Sequence, residues 1–194
     1  DSIQFTEEGD ELFRRLKRNG MVMAYVGFES ASTKMLDIFD KLVDVNNYKR
    51  FVERAKREKV ALQLGFIAWH PLMTIDDARQ NFQFLHETDE LYNFSVMVQK
   101  LDIFPGTRDK KRLIDEGLLS PGFNCLSDPQ NYSFQDRNIG QLADSLNRIY
   151  RADERLERFD KAVSRLHLTF IPELLHQAEI LFQEKPSSVL SDGI

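Results

Sequence analysis

The sequence has one cysteine, Cys125, among its 194 residues. A lone thiol excludes an internal disulfide and cannot by itself hold an iron–sulfur cluster or a structural zinc ion. Cysteine usage therefore leaves the redox compartment open, with a bias to the cytoplasm. Long apolar runs are also missing. Charged residues interrupt each run well short of the roughly 20 residues a membrane-spanning helix needs, and no signal-peptide pattern is seen, so no membrane partner is expected. There is no excess of positive charge: 26 Lys and Arg stand against 31 Asp and Glu, a net charge of −5 with the signs mixed along the chain, which makes nucleic acid an unlikely partner. No nucleophile elbow, phosphate loop or two-cysteine site is present, which disfavours a small hydrolase-like or transferase domain. Gly27 and Gly65 lie inside strand-like runs and form no nucleotide fingerprint. His86, His167 and His176 lack metal-ligand spacing and are expected to be structural or solvated.

What is present is a rhythm. Hydrophobic residues make up 42% of the chain, enough for a real core. Residues 9–20, with Leu12, Phe13 and Leu16 among charges, fit a surface helix closed by Asn19-Gly20. Three apolar strand-like runs follow: Met21 to Glu29, Ala61 to Trp69, and Phe94 to Leu101. The first two alternate with period two. Val22, Ala24, Val26 and Phe28 form one face against Tyr25, Gly27 and Glu29, and Leu62, Leu64, Phe66 and Ala68 form one face against Gln63, Gly65, Ile67 and Trp69. The apolar faces belong against helices, and the mixed faces look into a barrel or crevice. Helical stripes come between the runs. Ser30 to Thr33 cap a segment with Met35, Leu36 and Phe39. Tyr48, Phe51, Val52 and Ala55 mark a second helix, and Thr74 with Asp77 opens a third carrying Ala78, Phe82 and Leu85. The expectation is α/β: three consecutive parallel βα units over residues 1–118 with a leading helix, a loop or linker at 119–132, and a helical region at 133–194. That last region carries an Ile139–Leu142–Leu146–Ile149 stripe, and Pro172 opens another with Leu174, Leu175, Ala178, Leu181 and Phe182.

In parallel sheets ligands sit beyond the C-terminal ends of the strands, which selects three places. Glu29-Ser30 reads either as a carboxylate and hydroxyl for a ligand's amine or ribose, or as an ion-paired Glu beside a helix cap. Trp69-His70-Pro71 reads either as a stacking platform for a planar ligand or as ordinary core and loop. Pro105-Gly106 after Phe104 offers backbone groups that could read a purine edge, as many turns could. Gln63 shares its face with Ile67 and Trp69, and if buried it must be hydrogen-bonded.

Taken together these segments resemble the second half of a radical S-adenosylmethionine enzyme. Val26-Gly-Phe-Glu-Ser30-Ala-Ser with Leu36 resembles that family's fourth-strand segment. Gly65-Phe-Ile-Ala-Trp-His-Pro71-Leu-Met-Thr74, with Asp76-Asp77 and Asn81 to Leu85, resembles the fifth strand and its helix, in the form seen in members with a cobalamin-binding domain. Phe104-Pro-Gly-Thr107 with Gly117-Leu-Leu resembles the sixth. The likeness covers residues 20–119. It implies half of a partial TIM-like barrel and a fragment of an Fe–S oxidoreductase or methyltransferase. On that basis Glu29 or Ser30 lies near the methionine or ribose end of the cofactor, Ile67 and Trp69 lie against the adenine with Gln63 beside them, and Phe104, Pro105 and Gly106 line its edge. Many members have Gly where this chain has Trp69. The three-cysteine loop that binds the [4Fe–4S] cluster is absent. The resemblance therefore implies S-adenosylmethionine, the cluster and, in one branch, cobalamin in a longer parent, with none bound by this chain alone. The implied partners are the other half of the barrel and, through an uncovered strand edge, a second copy. The alternative reading is a non-catalytic α/β binding or dimerisation module. Asp1 in place of Met fits a longer parent.

Overall fold

The structure is a computed structural model and describes residues 7–90, 94–156 and 158. It begins with helix α1 (Glu7–Arg18), acidic in its first turn and basic in its last, as the helix dipole favours. Strand β1 (Met23–Glu29) leads to a short helix α2 (Thr33–Ile38) and then to α3 (Val45–Arg57). Strand β2 (Ala61–Phe66) pairs with β1 in parallel, Met23 opposite Ala61 through Gly27 opposite Gly65. The ladder then slips, so that Glu29 faces Phe66, and Phe28 is the extra residue of a bulge. Helix α4 (Ile75–Glu87) follows, then α5 (Phe94–Val98), α6 (Arg108–Asp115) and α7 (Arg137–Ala152).

The apolar faces of the two strands turn to the core, with Ala24, Val26 and Leu62 partly buried there and Val22 left exposed. Phe28, Leu64, Phe66 and Ala68 sit in the main core with Tyr48, Phe51 and Val52 of α3 and Phe84 and Leu85 of α4. Phe28 is its centre, stacked on Tyr48 at 4.1 Å between ring centroids and edge-on to Phe51 and Phe84 at 6.1 and 6.0 Å. Losing such a ring costs about 3–5 kcal/mol. A smaller core of Leu72, Leu101, Ile103, Leu113 and Tyr132 lies against Ile38, Phe39 and Ile67.

Three parallel βα units do not form, and neither does half of a partial barrel. The described residues are mostly helical, with one open two-stranded sheet. The third run is where the expectation fails. Phe94–Val98 coils into α5, which packs on α7, and only one parallel bridge, Trp69 to Lys100, continues the sheet. Trp69 binds the run in this form: its indole Nε1–H donates to the Met97 carbonyl at 2.8 Å, and its backbone bonds Gln99 and Leu101 at the single bridge. Val96 is meanwhile buried from α5 into the main core. A short apolar run is satisfied equally by a helix turn or a strand, and here side-chain packing selects the helix.

The 119–132 segment is an ordered loop. Leu119 bridges Tyr132, Asn124 bridges Asp128, and the Tyr132 hydroxyl donates to the Leu101 carbonyl at 2.9 Å. The expected stripe from Pro172 to Phe182, His167 and His176 lie outside the described residues. No helix among the described residues is long and apolar enough to cross a membrane.

Candidate functional site

The C-terminal ends of β1 and β2 carry the chemistry. At Glu29 the bulge leaves the backbone at φ 62°, a left-handed conformation uncommon for any residue but Gly. This turns the carboxylate back over Gly27. A Cβ at Gly27 would sit 2.6 Å from Glu29 Oε1, so any larger residue there would push the carboxylate aside. Lys41, from the α2–α3 connection, brings its Nζ within 3.4 Å of the same oxygen and donates to the Gly27 carbonyl at 3.2 Å. The pair is half-buried. Tyr48 lies beneath it. Burial pushes the Tyr48 phenol up to about 12, and the negative charge of Glu29 adds to the shift.

Ser30, the next residue, is fully buried. Its hydroxyl donates to Asn81 Oδ1 at 2.7 Å and accepts from the Ser32 amide at 3.1 Å, while the Ala31 amide donates to the same Asn81 oxygen at 2.8 Å. Ser32, not Ser30, caps α2, and its hydroxyl donates to Asp77 Oδ1 at 2.5 Å. Asp77 also closes the capping box of α4 with Thr74 and faces Lys34 at 3.5 Å. Burial works to raise the Asp77 carboxyl. The hydrogen bonds from Ser32 and Thr74 and the charge of Lys34 outweigh it and hold the group below the ordinary aspartate value. This polar network ties the loop after β1 to α4 and fixes Glu29 from behind.

Glu29, Gln63 and Ile67 share the open mixed face. Gln63 lies opposite Tyr25 and is exposed, and Ile67 is half-buried with its amide donating to the Glu29 carbonyl at 2.7 Å. Gly27 and Gly65 face each other across the ladder, and Tyr25, 68% exposed, lays its hydroxyl over Gly65. The result is a strip of glycine backbone overlaid by the end of an aromatic ring at Gly65 and by a carboxylate at Gly27. Trp69 is not on that strip. It is fully buried, tilted against Phe82 at 5.5 Å between centroids, with its indole nitrogen committed to Met97. Phe104, Pro105 and Gly106 form an exposed turn ahead of α6, closed by the Thr107 hydroxyl on the Phe104 carbonyl at 2.9 Å. Arg112 of α6 donates to the Ile38 carbonyl at 3.4 Å, and Arg108 pairs with Asp40, so this turn is anchored to the end of α2.

Sequence reasoning missed Lys41 and the central place of Asn81, for which no local pattern gives a signal. Among the described residues no group of three or more His, Cys, Asp or Glu is placed to hold a metal ion. A shallow cleft of about 500 Å³ lies between the loop after β1, the α2–α3 connection and α4, with Lys49 and Glu87 paired at its rim.

No protein-family profile matches the chain, and no curated protein matches it. Solved structures do. The cobalamin-dependent S-adenosylmethionine radical enzyme OxsB, with aqua-cobalamin and S-adenosylmethionine bound, is similar over 91% of this chain and 30% of its own, at 16% identity and a TM-score of 0.66. Its apo form is similar over 91% and 34%, at 14% identity and a TM-score of 0.63. The fold is that of part of OxsB. At this identity the likeness is one of fold, and the chain spans about a third of the length of the proteins it matches.

Proposed function

We propose that this chain supplies part of the S-adenosylmethionine and substrate pocket of a radical S-adenosylmethionine enzyme, an Fe–S oxidoreductase or methyltransferase, and is inactive alone. The observation that carries the reading is the open strip at the strand ends. It offers a half-buried carboxylate at Glu29, two facing glycines covered only by the movable ends of Tyr25 and Glu29, and an apolar wall at Ile67, in a fold similar to that of a cobalamin-dependent enzyme of this chemistry. These groups fit a cofactor with a flat adenine, ribose hydroxyls and a charged amino-acid end. Glu29 would accept from ribose or amine, Gln63 would donate or accept at the rim, and Ile67 would press on the adenine. The Phe104–Gly106 backbone would border it. Ser30 and Trp69, both buried and hydrogen-bonded, would act by holding Glu29 and the end of β2 in place. The cluster, held by another part of a longer polypeptide, and the cofactor would supply the radical or methyl chemistry; cobalamin would belong to the same parent.

The test is an iron, sulfide and cobalt assay on the longer polypeptide purified without oxygen, beside the 194-residue chain, with S-adenosylmethionine binding measured on both. The expected result is about four irons in the parent, none in this chain, and weaker S-adenosylmethionine binding in the parent bearing Glu29→Gln. A parent free of iron, or one whose affinity ignores Glu29→Gln, overturns the reading. A second reading, a non-catalytic binding or dimerisation module, draws on the outer edge of β1, which among the described residues pairs with no other strand. Sedimentation of the purified chain decides it: a stable metal-free multimer supports this reading, and a monomer removes it.

A further inference from the structure

His70 follows Trp69 at the end of β2 and is fully buried. Its two ring nitrogens have different surroundings. Nδ1 accepts from the Leu72 amide at 3.1 Å, which assigns the ring proton to Nε2. Nε2 is buried without a hydrogen-bond partner, and it points at Asp109 Oδ1 on α6 from 3.7 Å, too far for a bond. The same carboxylate oxygen accepts from Arg112 Nη1 at 3.0 Å, one turn along α6. The other groups facing the ring are the Phe39 edge at 5.5 Å between centroids and Met73, whose sulfur accepts from the His70 amide at 3.4 Å. Lys34 donates to the carbonyl of Leu72, two residues along the chain, at 2.9 Å.

We infer that His70 and Asp109 are the two halves of a latch between the end of β2 and α6, which the structure captures open. A buried N–H aimed at a carboxylate just beyond bonding range gains a bond if α6 moves inward by a fraction of an ångström, and it forfeits the desolvation of its donor if α6 does not. Arg112 holds the latch open by competing for the same oxygen. Closing it exchanges an Arg–Asp contact near the surface for a buried imidazole–carboxylate bond. The Phe104–Gly106 turn runs directly into α6 and moves with it, so the latch sets how near that turn lies to the open strip at the strand ends. The latch follows from these contacts and stands whether or not the strip takes S-adenosylmethionine.

The test uses the full 194-residue chain labelled with ¹⁵N-histidine. NMR reads the tautomer of His70 and the solvent exchange of its Nε2–H. The expected result is the Nε2–H tautomer, with exchange accelerated about twofold in Asp109→Ala, the loss of shielding by a latch closed about half of the time. Asp109→Asn, which keeps an acceptor, should fall between the two. Arg112→Met frees the carboxylate and should slow the exchange below that of the unsubstituted chain, an effect that simple loosening of α6 could not produce. An Nδ1–H tautomer overturns the latch, as does equal exchange in Asp109→Ala and the parent chain. An Arg112→Met chain exchanging as fast as the parent, or faster, also overturns it.

Discussion

Glu29 joins a strained backbone, an ion pair and a buried phenol in one place. Because Tyr48 titrates at about 12 in the folded chain and near its ordinary value of 10.0 when unfolded, the unfolded state gives up its proton first as pH rises. Stability is therefore fully present below 10.0 and falls between there and about 12, by about 2–3 kcal/mol. Denaturant titrations across this range should show that loss, and near-ultraviolet absorbance should show Tyr48 ionising above its ordinary value of 10.0. Glu29→Gln removes the charge that adds to the shift, so Tyr48 should titrate lower in that variant; an unchanged value would separate the two groups. At this scale the sequence is half legible. Period two along β1 puts Glu29 at the strand end facing away from the core. The bulge at Phe28 and the partner Lys41 are set by contacts between segments, and a local pattern carries no trace of them.

Helix α4 shows how one capping motif can serve a second purpose. Thr74 and Asp77 form a capping box, which the residue types and their spacing announce, and Asp77 also receives the Ser32 hydroxyl from the loop after β1. Thr74→Ala should cost about 1 kcal/mol in denaturant unfolding. Asp77→Asn should cost more, since it also weakens the contact to Ser32 and the attraction of Lys34. The Asp77 carboxyl is held below its ordinary value of 3.8, so its contribution is complete above that pH and disappears as pH falls through the lowered folded value. An acid titration of stability should lose this component in Asp77→Asn; identical acid limbs would contradict it. Helices α3, α4 and α7 were legible because their stripes are long and their caps explicit. Phe94–Val98 was not, because five apolar-rich residues fix neither period, and the partners that Val96 and Met97 meet, in the main core and at the Trp69 indole, come from other segments.

Across the whole molecule the layers are unequal. Helices and the main core cover one side of the sheet, while the side with Tyr25, Gly27, Gln63 and Gly65 stays open up to Ile67, where the smaller core begins. Gly65→Ala separates stability from binding on that open side. The new methyl would meet the Tyr25 hydroxyl at 2.5 Å and the Gly27 Cα at 3.2 Å, and since Tyr25 is exposed its ring can swing away. The fold should therefore change by less than about 1 kcal/mol, because a strand glycine is itself mildly destabilising. Binding of a flat ligand to the strip, measured in the longer polypeptide, should be lost. A large drop in stability would instead mark the two glycines as packing residues.

The parallel pairing of β1 and β2 governs the order in which the chain can assemble. No tight turn can zip these strands together, because α2 and α3 intervene and β2 must return past them before Met23 meets Ala61. The chain therefore closes a long loop before the ladder yields its first hydrogen bond, a step whose entropic cost slows folding. Collapse of Tyr48, Phe51 and Val52 onto Phe28 shortens that search. Early packing of α3 should therefore speed folding, and the same helix, through Tyr48, lies beneath Glu29.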